Sequence, residues 1–142
     1  MVQQLLVSFI AAAAFGMMFN VPRHLLPECG VVGMMGWFVY IVLGRLGISN
    51  IPATLVAAFV VTILSQWFAR LFKTPIIVFS VAGIIPLVPG GVAYDAMRYF
   101  VQNNYAVAVQ MAAKALMMSG AIAMGLILSE VVYQLIKRRQ FQ

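Results

Sequence analysis

The chain has 142 residues, of which 64% are apolar and 8% charged, with a formal net charge of +6. Its mean hydropathy of +1.02 lies far outside the range of soluble globular domains, so the composition predicts an all-α integral membrane protein with one transmembrane domain, residues 1–142. The basic residues lie mostly in short loops and at the C-terminal end, which fits membrane topology and argues against a nucleic-acid partner. With one cysteine and one histidine, we expect no metal site, no cofactor and no intrachain disulfide.

Five apolar segments approach the length of about 20 residues that a bilayer crossing requires. No Lys or Arg precedes the first segment, so we expect a transmembrane helix there and not a cleavable signal peptide. Glycines at helical spacing in the second segment suit close helix packing. The fourth is interrupted by prolines and glycines, and it either crosses as a broken helix or re-enters the membrane. The approximate spans are residues 2–21, 30–46, 52–69, 75–93 and 112–135.

The distribution of Lys and Arg predicts the orientation, because positive charges in short loops mark the cytoplasmic side. With five crossings, we expect the N-terminus outside and the C-terminus in the cytoplasm. A re-entrant fourth segment would degrade this separation of charge. With five crossings, one side carries Arg23, Arg70, Lys73, Lys137, Arg138 and Arg139, and the other carries Arg45, Arg98 and Lys114.

The interruption of the fourth segment is the strongest candidate for a binding site. Proline removes a helical hydrogen bond, so we expect the carbonyls near Ala82 and Ile85 to lack their usual donors and to favour a cation or ammonium. The amides that open the next helix favour a carboxylate, as in the broken helices of many secondary transporters. The plain alternatives are a proline kink or a turn at the membrane surface. The interruption consists of Pro86, Pro89, Gly90 and Gly91.

Charged residues inside or beside the spans are the second signal, because ionisable groups in membranes are usually functional or paired. Glu130 and Lys114 are separated by roughly 24 Å along one helix, so each needs its own partner. Asp95 is expected to pair either with Arg45 or with Arg98 at i, i+3. Lys114 and Arg45 also suit snorkelling to the interface. Glu130 is a candidate carrier of a coupling proton, or a hydrogen-bond partner across the bundle.

No arrangement of a nucleophile with a base and no phosphate-binding loop is found in the sequence, so we do not expect an enzyme. The alternatives to a secondary transporter are a self-sufficient homo-oligomeric channel and a structural or targeting subunit for another transporter. The small-residue pair of Ala121 and Gly125 motivates the structural alternative, because such pairs favour helix association.

A set of short stretches in this sequence forms a recognisable pattern: Pro75 to Phe79, Gly83 to Gly91 with Tyr94, Ala69-Arg70, Lys73 to Pro75, and Phe19 with Pro22 and Gly30. This pattern resembles the threonine/serine exporter family, and in particular the small membrane subunit of its split, two-component form. The resemblance implies a chain that corresponds to the C-terminal membrane half of the one-chain exporters, in the bacterial inner membrane, with a larger membrane subunit as partner. The implied cargo is threonine and serine, or small dicarboxylates such as succinate for some split members.

These arguments predict a set of site residues for a secondary exporter of small carboxylate-bearing metabolites. The broken-helix motif of the family carries over to the prolines and glycines of the interruption, whereas a dicarboxylate would call for additional cations. Glu130 is the predicted residue for proton coupling. The predicted substrate-binding residues are Pro86, Pro89, Gly90, Gly91, Tyr94, Asp95, Arg98 and Lys114.

Overall fold

The computed structural model describes residues 1–141 and consists of helices joined by short turns, which confirms the predicted all-α membrane class. Short 3-10 segments precede the second helix, at Arg23–Leu25, and follow the fourth, at Ile85–Leu87. The α-helices are α1 (Val2–Met18), α2 (Leu26–Arg45), α3 (Asn50–Phe72), α4 (Ile77–Ile84), α5 (Gly90–Val101) and α6 (Tyr105–Gln140).

Three continuous helical stretches are long and apolar enough to cross a membrane, namely Arg23–Arg45, Asn50–Phe72 and Tyr105–Gln140. The bent pair Ile77–Leu87 and Gly90–Val101, with an angle of 46° between its halves, supplies a fourth span if it crosses as one unit. The apolar helix α1 has 17 residues and is therefore about 26 Å long, slightly shorter than a typical hydrocarbon core. Five crossings require α1 to cross as well.

The last helix is longer than the hydropathy pattern indicates. It begins at Tyr105 instead of near residue 112, after a turn in which Asn103 has a positive φ of 64° and Asn104 is the N-cap. With 36 residues, α6 extends about 54 Å. Its first turns pack against α5 as a helical hairpin, so the polar stretch after the break is helical up to Val101. This hairpin gives the start of α6 a packing partner that hydropathy alone does not reveal.

Small residues allow the helices to approach closely. Leu55, Ala58 and Phe59 of α3 lie within about 3 Å of where a Cβ on Gly125 would be, with the Leu55 carbonyl oxygen at 2.7 Å. Ala121 is also buried. The small-residue pair that suggested association with another chain is therefore used inside this bundle, between α6 and α3.

The core lies where α2, α3 and α4 meet, and α3 occupies the centre because it packs against α2, α4 and α6. On α2, three glycines lie where a neighbouring helix comes too close for a Cβ: Gly30 faces Phe9, Gly33 faces Ala12, and Gly36 faces Val61. The buried core cluster consists of Leu25, Cys29, Val32, Ala57, Ala58, Val61, Phe79, Ala82, Leu87 and Ile122.

Candidate functional site

The candidate site is the break between α4 and α5, where the helix narrows and then turns. The 3-10 turn Ile85–Leu87 is followed by Val88 in an extended conformation, with φ −61° and ψ 129°, and by Pro89 with ψ 54°. The Val88 amide donates to the Ile85 carbonyl at 3.3 Å. Ile85 does lack its usual donor, since Pro89 has no amide hydrogen, but the expectation that its carbonyl stays open for a cation is wrong, because tightening into a 3-10 turn supplies another bond.

The break lies at mid-depth in the bundle. A Cβ on Gly36, near the middle of α2, would overlap Val61 and would lie 3.7 Å from the Leu87 Cδ1 atom. Val61 is the central residue of α3, which spans Asn50–Phe72. Since the middles of two spanning helices meet the end of the 3-10 turn, the irregular backbone is far from either end of the bundle. It is therefore neither a surface turn nor a kink in a continuous helix.

Two clefts open beside the break, and Trp37 and Pro86 line both of them. One, the Trp37 cleft, has a volume of about 190 Å³ and is bordered by Tyr40, Pro89 and Met118. The other, the N-terminal cleft, has a volume of about 330 Å³ and is lined by Gln3, Gln4 and Ser8 of α1, among others. The break is thus accessible from two directions.

The indole of Trp37, which lines both clefts, has an unpaired polar atom. It stacks on the ring of Tyr40, with centroids 5.0 Å apart, while its buried Nε1 atom has no hydrogen-bond partner among the described residues. A buried donor without an acceptor is costly and is found where a ligand or water supplies the acceptor. The sequence analysis assigned no role to Trp37.

The start of α5 leaves backbone donors for a ligand. No side chain caps this helix; Gly90 donates to the Val88 carbonyl at 2.7 Å and Ala93 to the Pro89 carbonyl, whereas Val92 donates to neither Val88 nor Pro89. Nothing lies within 4 Å of a Cβ placed on Gly90 or Gly91. A carboxylate can therefore approach the first turn of α5, where the helix dipole is positive.

The charged residues predicted for the site lie farther along the α5–α6 hairpin. Asp95 pairs with Arg98, with an Oδ1 to Nη2 distance of 3.7 Å and both side chains more than 40% exposed. This is the local i, i+3 alternative, and Arg45 is not its partner. Tyr94 is 67% exposed. Lys114 is partly buried, one helical turn before Met118 of the Trp37 cleft, so it is the predicted cation nearest to the break along α6.

Glu130 lies beyond the level of the break, where the C-terminal part of α3 runs beside α6. Its carboxylate accepts hydrogen bonds from the Nε2 atoms of Gln66, at 3.5 Å, and Gln134, at 3.1 Å. Of the two roles considered for Glu130, the hydrogen bond across the bundle is present. One turn farther, Arg70 donates from Nε and Nη2 to the Tyr133 hydroxyl at 3.0 and 2.9 Å.

A third cleft, the α3–α6 cleft, is built around these residues. It has a volume of about 260 Å³ and is lined by Gln66, Ala69, Arg70, Thr74, Ile76, Glu130 and Tyr133. Sequence reasoning identified Glu130 but missed this polar environment, which comes from residues about 60 positions apart. The break and the α3–α6 cleft are therefore separate polar features of one bundle.

Comparison with known proteins assigns the chain to a family. The model of the family described as "Threonine/Serine exporter, ThrE" matches residues 4–132, a range that includes the break, the Trp37 cleft, Glu130 and, apart from Gln3, the lining of the N-terminal cleft. No solved structure matches the chain. With nearly the whole bundle covered by the match, this multi-pass membrane protein belongs to the threonine/serine exporter family.

Proposed function

We propose that the chain is the small membrane subunit of a heteromeric secondary exporter, which moves small carboxylate-bearing metabolites out of the bacterial cytoplasm. The observation that carries this proposal is the break at mid-depth, open to the Trp37 cleft beside it. Irregular backbone at membrane depth is tolerated where it lines a cavity or is buried in protein. A substrate path is the function for which transporters use such a break.

At the break, the substrate carboxylate takes the unused donors of the site. The first turn of α5 offers backbone amides, and the Trp37 indole, which lines the same cleft, carries an Nε1–H without an acceptor. Gly90 and Gly91 have no side chain to block the approach. Pro86 and Pro89 maintain the irregular backbone because neither can donate a helical hydrogen bond. Each residue of the interruption thus has a physical role in binding.

The hairpin of α5 and α6 forms the outer part of the proposed path. Tyr94, Asp95 and Arg98 lie on α5 beyond the break, and Lys114 lies on α6. In this proposal, Lys114 and Arg98 provide positive charge for a substrate leaving the break, and Asp95 limits how strongly Arg98 holds it. Two cations on this path would also accommodate a dicarboxylate such as succinate. Efflux measurements therefore have to decide between an amino acid and a dicarboxylate as the cargo.

Coupling to a proton gradient is assigned to Glu130. Its carboxylate is bonded to two neutral amides, and the ionisable groups lining the same cleft are Arg70 and Tyr133. A carboxylate in the cytoplasmic part of a spanning helix can exchange protons with that side. We expect Glu130→Gln to remove the dependence of export on the pH gradient, and unchanged dependence would rule out this role.

A larger membrane subunit completes the transporter in this proposal. The site is open along one side, because Gly90, Gly91 and Tyr94 are all exposed, and apolar residues of α5 such as Met97 and Phe100 are more than half exposed. We infer an inner-membrane location with the N-terminus outside and the basic C-terminal end in the cytoplasm, following the distribution of Lys and Arg.

The test is efflux of radiolabelled threonine, serine and succinate from cells that produce this chain alone, the larger subunit alone, both or neither. Export by the pair only, with selectivity among the three solutes, supports the proposal and identifies the cargo. Full export by the larger subunit alone would mean a structural or targeting role for this chain. Export by this chain alone would indicate a homo-oligomer, and export by no combination would refute the exporter assignment.

Within this test, the break is examined by Gly90→Val. Since nothing lies within 4 Å of a Cβ at this position, the fold has room for a side chain, but the approach to α5 becomes blocked. We expect normal membrane insertion with loss of export. A Gly120→Val variant is the control, because this exposed glycine of α6 also has nothing within 4 Å. Normal export by the Gly90 variant would remove the break from the substrate path.

A further inference from the structure

A further groove, the Trp67 groove, adjoins the α3–α6 cleft along the same two helices and has a volume of about 240 Å³. Arg70 and Tyr133 line both, whereas Glu130 lines only the cleft. The apolar walls of the groove are between 39% and 62% exposed, so in a membrane they face lipid. These walls are Ile63 and Trp67 of α3 and Val132 and Ile136 of α6.

Arg70 lies at the depth where a bilayer changes from hydrocarbon to headgroups. It is nine residues beyond Val61, the residue of α3 that packs at the level of the break, which corresponds to about 14 Å of helix. Half of a typical hydrocarbon core is about 15 Å thick. Ile63, in contrast, is only two residues beyond Val61 and lies deep in the hydrocarbon. The Trp67 groove therefore runs from the depth of acyl chains to the depth of phosphates.

The Arg70 guanidinium is oriented by Tyr133 and has donors to spare. It donates from Nε and Nη2 to the Tyr133 hydroxyl at 3.0 and 2.9 Å, and its central carbon lies 4.7 Å from the centre of the Tyr133 ring. A guanidinium has five N–H groups, so part of this set remains available to an anion. Within residues 1–141 the ion pair found within 4 Å joins Arg98 to Asp95, so Arg70 has no carboxylate partner in this range.

More positive charge surrounds this end of the groove. Lys137 lies one helical turn beyond Tyr133 and therefore on the same face of α6, and Lys73 follows the last turn of α3. Lys137 also lines an open cleft of about 450 Å³ together with Arg138. Because the C-terminal ends of α3 and α6, with their negative dipoles, both point to this side, an anion here is bound by side chains and not by backbone amides.

We propose that the Trp67 groove binds one anionic phospholipid from the leaflet at the basic end of the bundle. An acyl chain covers the apolar walls, the headgroup phosphate accepts hydrogen bonds from Arg70, and Lys137 supplies a second positive charge. Basic pockets between spanning helices recognise anionic headgroups, and the indole of Trp67 suits the boundary between chain and headgroup. A free phosphate ion would leave the apolar walls uncovered. This lipid site is separate from the break and does not require export.

The test is native mass spectrometry of the purified full chain in a mild detergent, titrated with phosphatidylglycerol or with phosphatidylcholine of the same acyl chains. Detergent removes the charged bilayer surface, so contacts with the protein alone retain a lipid. We expect one phosphatidylglycerol per chain, bound about tenfold more tightly than phosphatidylcholine, because the choline cation is repelled by Arg70 and Lys137. Equal binding of the two lipids would overturn the proposal.

Charge variants separate a built site from general attraction to the basic end. Arg70→Gln should lower the affinity for phosphatidylglycerol about tenfold, the loss of a charge-assisted hydrogen bond. Arg139→Gln is the matched control, because it removes the same charge from an exposed position of α6 outside the groove, and it should lower the affinity less than about threefold. Tyr133→Phe keeps the charge but removes the hydroxyl that orients Arg70, so part of the affinity should be lost. Equal losses in the Arg70 and Arg139 variants would refute the site.

The apolar part of the site is tested by chain length and by Trp67→Ala. A short-chain phosphatidylglycerol should bind about tenfold more weakly, because fewer of its methylene groups are buried, and Trp67→Ala should weaken the long-chain lipid several-fold. Displacement of the lipid by an equal concentration of inorganic phosphate would indicate a free-anion site instead. A lipid-free dimer of the chain that is lost in Trp67→Ala would assign the groove to a second copy. Either result would overturn the proposal, whatever the outcome of the efflux measurements.

Discussion

The substitution Gly36→Ala tests whether the break is held at mid-depth by close helix packing. A Cβ on Gly36 would overlap the Cγ2 atom of Val61 and would also approach the Leu87 Cδ1 atom, 3.7 Å away, and the Gly83 carbonyl oxygen, 3.9 Å away. Val61 is fully buried, so its branched side chain has little freedom to turn aside. Overpacking of this kind costs about 1–3 kcal/mol. We expect Gly36→Ala to lower the free energy of unfolding by that amount.

Two further variants separate this clash from the general effect of adding a methyl group. Gly44 lies two turns farther along α2 and has nothing within 4 Å of a Cβ, so Gly44→Ala should leave stability unchanged or raise it by up to about 1 kcal/mol through the higher helix propensity of alanine. Val61→Ala removes the overlapping methyl groups. The double variant Gly36→Ala, Val61→Ala should therefore be more stable than the sum of the single effects predicts, with a coupling of about 0.5–3 kcal/mol.

The measurement is equilibrium unfolding in mixed micelles of a mild detergent and increasing dodecyl sulfate, with each variant compared at the same total detergent. Export is measured in parallel, because a displaced α2 shifts Trp37 relative to the break. Equal stability of the Gly36 and Gly44 variants would refute the close contact of α2 with α3. Additive effects in the double variant would show that the clash is not with Val61.

Three other substitutions or modifications address single features. Trp37→Phe removes the unpartnered Nε1 atom but keeps the stack on Tyr40. Thermal stability should therefore be unchanged, while the apparent affinity for the exported carboxylate falls several-fold. An unchanged affinity would exclude the indole from the site. Cys29 is fully buried and its Sγ donates to the Val78 carbonyl at 3.6 Å, so a membrane-permeant maleimide should label it only after unfolding, and rapid labelling of the folded protein would contradict this packing. Asp95→Asn breaks an exposed pair and should change the free energy of unfolding by less than about 1 kcal/mol; a larger loss would mean that Asp95 has a further partner.

Local chemistry explains what could be predicted from the sequence. Hydropathy locates the helices, since a crossing needs a long apolar run, and the break is evident because Pro86 and Pro89 have no amide hydrogen. The same local rule was incomplete at Ile85, whose carbonyl is satisfied by a 3-10 bond from Val88. Proline indicates where an α-helix must stop, but the conformation that replaces it depends on the packing around it.

The beginning of α6 shows that hydropathy does not predict where a helix starts. Residues before 112 are less apolar than the segment that follows, so the predicted span starts there, yet the helix continues back to Tyr105. A helix is stabilised by any partner that covers it, and α5 covers this part of α6. Hydropathy therefore indicates the part that can face lipid, whereas the ends of a helix are set by its neighbours and by turn residues such as Asn103.

The α3–α6 cleft could not be predicted from the sequence, because it depends on the register of two parallel helices. Docking of Gly125 against the backbone of Leu55 fixes that register, and the hydrogen bonds of Glu130 with Gln66 and of Tyr133 with Arg70 follow from it. A displacement of one residue along α6 would rotate its side chains by about 100° and turn Glu130 away from Arg70. The position of Glu130 in this cleft therefore depends on a glycine that does not line it, and Gly125→Ala should change the dependence of export on the pH gradient by displacing Glu130 from Gln66.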